Sequence, residues 1–274
     1  MSAPSAAPLA GWAEPAAGPP AWRLLISRVI TFIWLELVKI RHDRTELYTR
    51  VIQPVLWLLV FGETFTRIRA IPTGKLPYID YLAPGIIAQS ALFVAIFYGI
   101  QIIWERDFGI LTRMLATPTP RVALITGKAF GASVRAIAQA IAVFALSAIL
   151  QVHLDWNPLR MLLALVVIVL GSAFFSCLSM TIAGIVLTRE RLMGIGQAIT
   201  MPLFFASNAL YPVQLMPVWL QWLSRINPLS YEVDALRGLL LGIPFDLALD
   251  LGVLLVAAAA SIVAAASLLD RLAR

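Results

Sequence analysis

Six long apolar runs divide the chain, at roughly 48–66, 82–103, 130–152, 159–187, 193–211 and 248–270. A helix needs about 20 apolar residues to cross about 30 Å of hydrocarbon, and these runs reach or approach that length. None alternates polar and apolar with the period of two that a barrel strand requires. The pattern therefore predicts an all-α integral membrane protein with six transmembrane helices. Residues 22–44 form a different kind of segment, apolar but carrying Arg23, Arg28, Glu36, Lys39 and Arg41. At 100° per residue, Arg28, Thr31, Lys39, His42 and Glu46 gather on one side, and Ile26, Val29, Ile30, Ile33, Leu37 and Ile40 cover the other. Charges at helix-centre depth cost about 2.5–3.5 kcal/mol each on insertion scales. The segment is thus expected to lie in the interface as an amphipathic helix anchored by Trp22 and Trp34, the alternative being a heavily charged first span. Residues 1–21, rich in proline and small side chains, are expected to be a disordered cytoplasmic tail ahead of the interfacial helix (22–44) and the six-span domain (45–274).

Composition agrees with this class. Hydrophobic residues make up 60% of the chain and charged residues 13%, more apolar surface than one soluble core of this length hides. A single cysteine, Cys177, excludes an intrachain disulfide, and two histidines, His42 and His153, offer little for a metal site. A buried thiol and solvated imidazoles are the plain expectation.

Charge sets the orientation. With the amino terminus inside, all but Arg67, Arg69, Lys75, Arg160, Arg225 and Arg237 of the 21 basic residues fall in cytoplasmic segments. That bias predicts a multi-pass protein of the inner (cytoplasmic) membrane with both termini cytoplasmic. The stretch Glu105–Lys128, the one long polar interruption between strong apolar runs, then faces the cytoplasm. Within it, 109–116 is expected to form about two helical turns, with Leu111, Met114 and Leu115 on an apolar side and Thr112 and Arg113 turned away. Thr117 and Pro118 should end that helix, and Pro120 should stiffen the connection that follows. Gly127 and Gly131 form a small-xxx-small pair that permits close helix approach. On the other side, 212–246 is long, aromatic and broken by prolines. It is expected to hold a short helix over 215–226 and another over 230–241, either dipping back into the outer leaflet as an external gate or lying as an interfacial loop anchored by Trp219 and Trp222.

Two motifs make the resemblance specific. After the second span stand Glu105, Arg106, Gly109, Leu111, Leu115, Thr117, Pro118, Arg121, Gly127 and Lys128. Before the last span stand Asn227, Pro228, Leu229, Ser230, Tyr231, Asp234, Ala235, Leu236, Arg237 and Gly238. In both, the chain resembles the type-2 ATP-binding-cassette permeases, the family of daunorubicin-resistance, Nod-factor and O-antigen exporters, over about residues 22–270. The resemblance implies a cytoplasmic coupling helix in the segment 104–128, with ATPase-coupling residues Glu105, Arg106, Gly109, Leu111, Arg113, Leu115, Thr117, Pro118, Arg121 and Lys128. It implies an extracellular gate of re-entrant helices between spans five and six, with Asn227, Pro228, Tyr231, Asp234 and Arg237. Arg113 departs from the family, standing where relatives often carry an acidic or neutral polar residue.

No nucleotide chemistry is visible: Gly127-Lys128 is followed by Ala129, and Val122 stands where a phosphate-binding loop needs its first glycine. By resemblance the chain is not itself catalytic, and ATP and Mg bind to a partner. That partner is expected to be two copies of a nucleotide-binding ATPase subunit, working with a second, identical permease copy among membrane lipids, with no nucleic acid. Candidate substrate-cavity residues follow from helical spacing: Gln89, Phe93 and Phe97 on the second span, and Gln197, Met201, Phe205 and Asn208 on the fifth. Sparse polar groups on aromatic walls suit a drug-like or lipid-like amphiphile, although helix packing accounts for each residue singly as well. Glu63, an acid in a membrane run, is either functional or paired with Arg67 one turn on. The expected function is ATP-driven export of an amphiphile, with a glycolipid or polysaccharide precursor as the second reading. An ATP-independent secondary transporter is disfavoured by the scarcity of intramembrane acids and histidines.

Overall fold

The computed structural model describes residues 21–42, 44–68, 71–74, 76–116 and 120–273, and every regular element among them is a helix. The expected tail, apart from Ala21, lies outside the described residues, as do Thr117 and Pro118. Helix α1 (Ala21–His42) packs along α6 (Arg121–Ile149), with Ile26, Ile30, Trp34 and Leu37 exposed. Arg28 and Lys39 are exposed on the same helix.

Among the described residues, five helices are long and apolar enough to cross a membrane: Thr49–Ile68, Tyr78–Asp107, Arg121–Ile149, Pro158–Val186 and Leu247–Leu272. They match five of the six expected runs. The first combines α2 (Arg44–Leu56), a π-helical stretch over Trp57–Gly62 and α3 (Glu63–Ile68). Pro54 explains much of that irregularity. It has no N–H to give the carbonyl four residues back, that of Arg50, and Gln139 Nε2 from α6 donates to that oxygen instead at 3.3 Å.

Helix α4 (Tyr78–Asp107) has 30 residues, about 45 Å at 1.5 Å per residue. It overshoots the hydrocarbon and carries Glu105 and Asp107 beyond it. It packs against α6 and α7 (Pro158–Val186) at the centre of the bundle. Close approach there depends on missing side chains. A Cβ on Gly99 would lie 2.5 Å from Ser176 O, and one on Gly85 would lie 2.4 Å from Ala209 O. Serine hydroxyls join the same interfaces: Ser179 Oγ donates to Ile96 O at 2.8 Å, and Ser172 Oγ to Ser133 Oγ at 2.9 Å. In an apolar medium, where the hydrophobic effect cannot drive helices together, such small-residue contacts and interhelical hydrogen bonds hold the packing.

The expected fifth span, 193–211, is α8 (Arg189–Phe205), whose 17 residues make it shorter than the other five. The stretch 189–210, α8 with the turn that follows it, nevertheless runs antiparallel to α4 and touches it near both ends. Arg189 Nε donates to Asp107 Oδ2 at 2.6 Å at one end, and Leu210 O accepts from Tyr78 Oη at 2.9 Å at the other. The following region holds a 3₁₀ turn (Val213–Leu215), α9 (Val218–Ile226) and α10 (Pro228–Leu241), and the chain closes with α11 (Leu247–Ala273). Helix α10 packs against α4, α7 and α11. Two helices, α7 and α10, begin with the same Asn-Pro-Leu device. Asn157 and Asn227 cap the backbone N–H of Leu159 and Leu229, and the proline fills the first helical position, where no N–H is needed.

Candidate functional site

One end of the bundle carries the 105–128 region, where the short helix expected over 109–116 is followed by a third span that starts well before the expected residue 130. Helix α6 begins at Arg121, so Gly127 and Lys128 occupy its second turn and only a short connection separates it from α5 (Ile110–Leu115). The turn from α4 into α5 is made by Gly109 at φ +70°, a left-handed conformation natural to glycine. Leu111 is fully buried and Met114 and Leu115 pack against the core, while Thr112 and Arg113 face outward. Helix α5 is thus a knob anchored by its apolar side and presenting Arg113, which makes no ion pair among the described residues. Phe108 (71% exposed) precedes it, and Ile110, its first residue, is exposed as well.

The surrounding charges bind the helix ends to one another. The buried Lys128 ammonium meets Glu105, tying α6 to α4. Asp107 accepts from Arg106 at 2.8 Å and from Arg189 at 2.6 Å, tying α4 to α8. Arg121 pairs with Asp270 at 2.9 Å, tying α6 to α11. Of the expected coupling residues, Glu105, Arg106, Arg121 and Lys128 are therefore engaged within the chain, and Arg113 is presented. Asp107, Arg189 and Asp270 complete the set and were missed in the sequence, because their pairings join residues as far as 149 positions apart, Arg121 with Asp270.

The opposite end gathers the Asn227–Arg237 motif. Asn227, besides capping α10, donates through Nδ2 to Leu203 O at 2.7 Å. Helix α8 leaves four carbonyls without intrahelical partners, and each is met here. Ala206 N–H serves Pro202, Asn227 serves Leu203, Ser207 serves Phe204, and Tyr211 Oη serves Phe205. Tyr231 Oη donates to Arg225 O at 2.6 Å, holding α9 to α10. Asp234 accepts from Asn208 Nδ2. The buried Arg237 guanidinium donates to Asn208 O at 3.0 Å and lies 3.8 Å from the centroid of the Tyr81 ring. A second tie at this end joins the buried Asp80 carboxylate to the His153 ring at 3.1 Å and to the His153 backbone N–H.

The expected cavity residues separate into two groups. Gln89, Phe93 and Phe97 line one cavity of about 360 Å³ together with Arg50, Pro54 and Gln139. The Phe93 and Phe97 rings stack at 6.5 Å, and Gln89 is buried. The Gln89 amide nitrogen and the Gln139 amide oxygen have no hydrogen-bond partner among the described residues, which offers a ligand one donor and one acceptor. Gln197, Met201 and Phe205 on α8 are not in that lining, and Asn208 belongs to the Arg237 cluster. Glu63 and Arg67 sit 3.8 Å apart with side chains 52% and 83% exposed, an ordinary weak surface pair.

A helical bundle whose long helices are apolar over membrane-crossing lengths is the architecture of an integral membrane protein. The model of the ABC-2 type transporter family matches residues 27–241, and the chain belongs to that family. It is 29% identical over 206 residues to a putative transport permease, ycf38, of Cyanophora paradoxa, covering 73% of this chain and 69% of that protein. It is 25% identical over 224 residues to the daunorubicin resistance ABC transporter permease protein DrrB1 of Streptomyces coeruleorubidus, covering 81% and 78%. Nodulation protein J of Rhizobium leguminosarum bv. viciae shares 28% over 207 residues, covering 73% and 77%.

Proposed function

We propose that the chain is the membrane subunit of an ATP-binding-cassette exporter that moves an amphiphilic substrate, driven by ATP hydrolysis on a separate nucleotide-binding subunit. Family membership over residues 27–241 carries the transporter class. Helix α5 supports the coupling role: its buried Leu111 fixes it to the core, and its outward Arg113 offers a charge to a soluble partner. Two permease copies work with two ATPase subunits, and the ATP-bound and ATP-free states differ in their grip on α5. The ion pairs behind α5 pass that displacement to α4, α6, α8 and α11.

Six crossings with both termini inside suit the distribution of basic residues. The end-to-end antiparallel course of residues 189–210 beside α4 supports α8 as the short additional crossing, with α9 and α10 re-entering from the outer side as a gate. Stacked Phe93 and Phe97 beside one unpaired amide donor and one unpaired amide acceptor favour an amphiphile with an aromatic body and few polar groups as cargo, and one relative is named for daunorubicin resistance.

Arg113→Glu tests the coupling role, because the side chain is exposed and the substitution leaves the fold intact. In a complex reconstituted with its ATPase, it should lower ATPase association and ATP-dependent transport of a fluorescent amphiphile at least tenfold, with thermal stability unchanged. Unaltered association would end the proposal that α5 docks the ATPase.

A further inference from the structure

Three carboxylates and an aromatic ring line a second cavity, of about 270 Å³, at the end of the bundle opposite α5. It lies between α10, the 242–246 connection and the first turn of α11. Asp234 comes from α10, Asp246 from the connection and Asp250 from α11, and Arg237 is the one cation among the lining residues. Its Nη2 donates to Asn208 O and Tyr81 O and the guanidinium lies over the Tyr81 ring, while its Nε has no hydrogen-bond partner among the described residues. Its nearest approach to Asp234 is 3.9 Å. The carboxylates therefore outnumber the positive charge available to them.

Burial deepens along the cavity. The Asp234 side chain is half exposed and Asp246 is exposed, whereas Asp250 is 4% exposed and its Oδ2 has no hydrogen-bond partner among the described residues. An unpaired acidic oxygen at the bottom of a cavity is costly unless something else donates to it. Asp234, Asp246 and Asp250 line the same cavity, so a cation placed there offsets their mutual repulsion and meets the unpaired Asp250 oxygen.

The walls say which cation fits. Among the described residues, no three carboxylate, imidazole or thiol side chains converge as metal ligands, which disfavours a bare divalent ion. Phe245 supplies an aromatic wall; its ring covers Gly238, where a Cβ would fall 2.1 Å from it. Ile243 and Leu249 add apolar surface. Asp250 at the base, Asp234 and Asp246 nearer the mouth, and an aromatic, aliphatic wall beside them suit a cation with a carbon chain, since the carboxylates and the ring attract the charged head and the side walls bury the chain.

We propose that this cavity binds an alkylammonium group, the charged head of a small primary amine or of a larger amphiphile that carries one. The site is separate from the Phe93–Phe97 cavity, and its existence does not depend on the exporter reading. That the amine is part of a cargo on its way out does rest on that reading.

Binding is measured on the purified full-length chain in neutral maltoside micelles, without ATPase, by calorimetric titration and by the shift in thermal unfolding. The probes are n-pentylammonium chloride, neutral n-pentanol and calcium chloride. The expected result is saturable binding of the ammonium salt, none of the alcohol, and affinity at least tenfold lower in Asp250→Asn. Asp246→Asn, at an exposed position where asparagine can keep the cap that Asp246 gives Leu249 N–H, should weaken binding at least threefold while unfolding like the unmodified protein. Absence of saturable ammonium binding, equal affinity in both variants, or calcium binding that displaces the ammonium and depends on the same carboxylates would each overturn the proposal. Because no transport is measured, failure here leaves the exporter reading standing, and failure of export leaves this binding result intact.

Discussion

Asn227 shows how much one side chain does at the end of the bundle opposite α5. Its Oδ1 accepts from Leu229 N–H at 3.1 Å to start α10, and its Nδ2 donates to Leu203 O at 2.7 Å to finish α8. Two substitutions separate the roles. Asn227→Asp keeps the acceptor and removes the donor, leaving one carbonyl at the end of α8 unmet at a cost of about 1–3 kcal/mol. Asn227→Ala removes the cap as well, adding about 1 kcal/mol. Thermal unfolding in detergent should therefore rank unmodified protein, Asn227→Asp and Asn227→Ala in that order, and equal unfolding of the two variants would contradict the double role. The motif itself was readable in the sequence, since Asn-Pro before an apolar stripe announces a helix start. Its partners were not: Leu203, Asn208 and Tyr81 come from distant turns of chain with no local pattern to mark them. Glu232 was missed altogether, although it lies on the same α10 stripe as Leu229 and Leu236. It is fully buried, and a Cβ on Gly171 of α7 would stand 2.1 Å from its Oε2. A polar residue on an apolar stripe was the available signal.

Among the elements, the first span is the one whose irregularity can be traced to a single residue. Pro54 frees the Arg50 carbonyl, Gln139 meets it from α6, and the π-helical stretch Trp57–Gly62 follows. Local π-helix is uncommon and concentrates at functional sites, and Arg50, Pro54 and Gln139 all line the Phe93–Phe97 cavity. A double-mutant cycle tests the link. Gln139→Leu alone should destabilise by about 1–2 kcal/mol, because it strands a carbonyl in an apolar setting. In a Pro54→Ala background, residue 54 regains its N–H, and the same leucine substitution should cost less by at least about 1 kcal/mol. Additive effects would show that Gln139 does not compensate for the proline. Element positions were largely legible, since apolar runs report long helices well. The starts of α4 and α6, respectively four and nine residues earlier than the runs suggested, were hidden because helices that overshoot the hydrocarbon continue in polar residues. Helix α8 was overestimated for the opposite reason: the apolar run continues past Phe205 through a non-helical turn over 206–211.

Across the whole molecule, the end near α5 behaves as a frame in which four helices are joined by ion pairs, and this changes what Arg121 is expected to do. The resemblance assigned it to the ATPase, yet its guanidinium meets Asp270 at 2.9 Å on the last helix of its own chain. Both side chains are about half exposed, 58% and 48%, so the pair contributes on the order of 0–1 kcal/mol to stability. Its value is positional: it sets α11 against the first turn of α6, the helix that would receive the push from α5 under the proposed coupling. Charge exchange separates the two roles. Arg121→Asp alone and Asp270→Arg alone should each leave unfolding nearly unchanged while lowering the transport obtained per ATP hydrolysed, because α11 no longer follows α6. The doubly exchanged protein restores the attraction with its sign reversed, and should recover most of that coupling. If Arg121 instead serves the ATPase directly, the exchange cannot restore it, and the double variant should bind ATPase as poorly as Arg121→Asp. ATPase binding and transport measured on the same four proteins distinguish the outcomes, since a frame contact alters transport per ATP and a docking contact alters association.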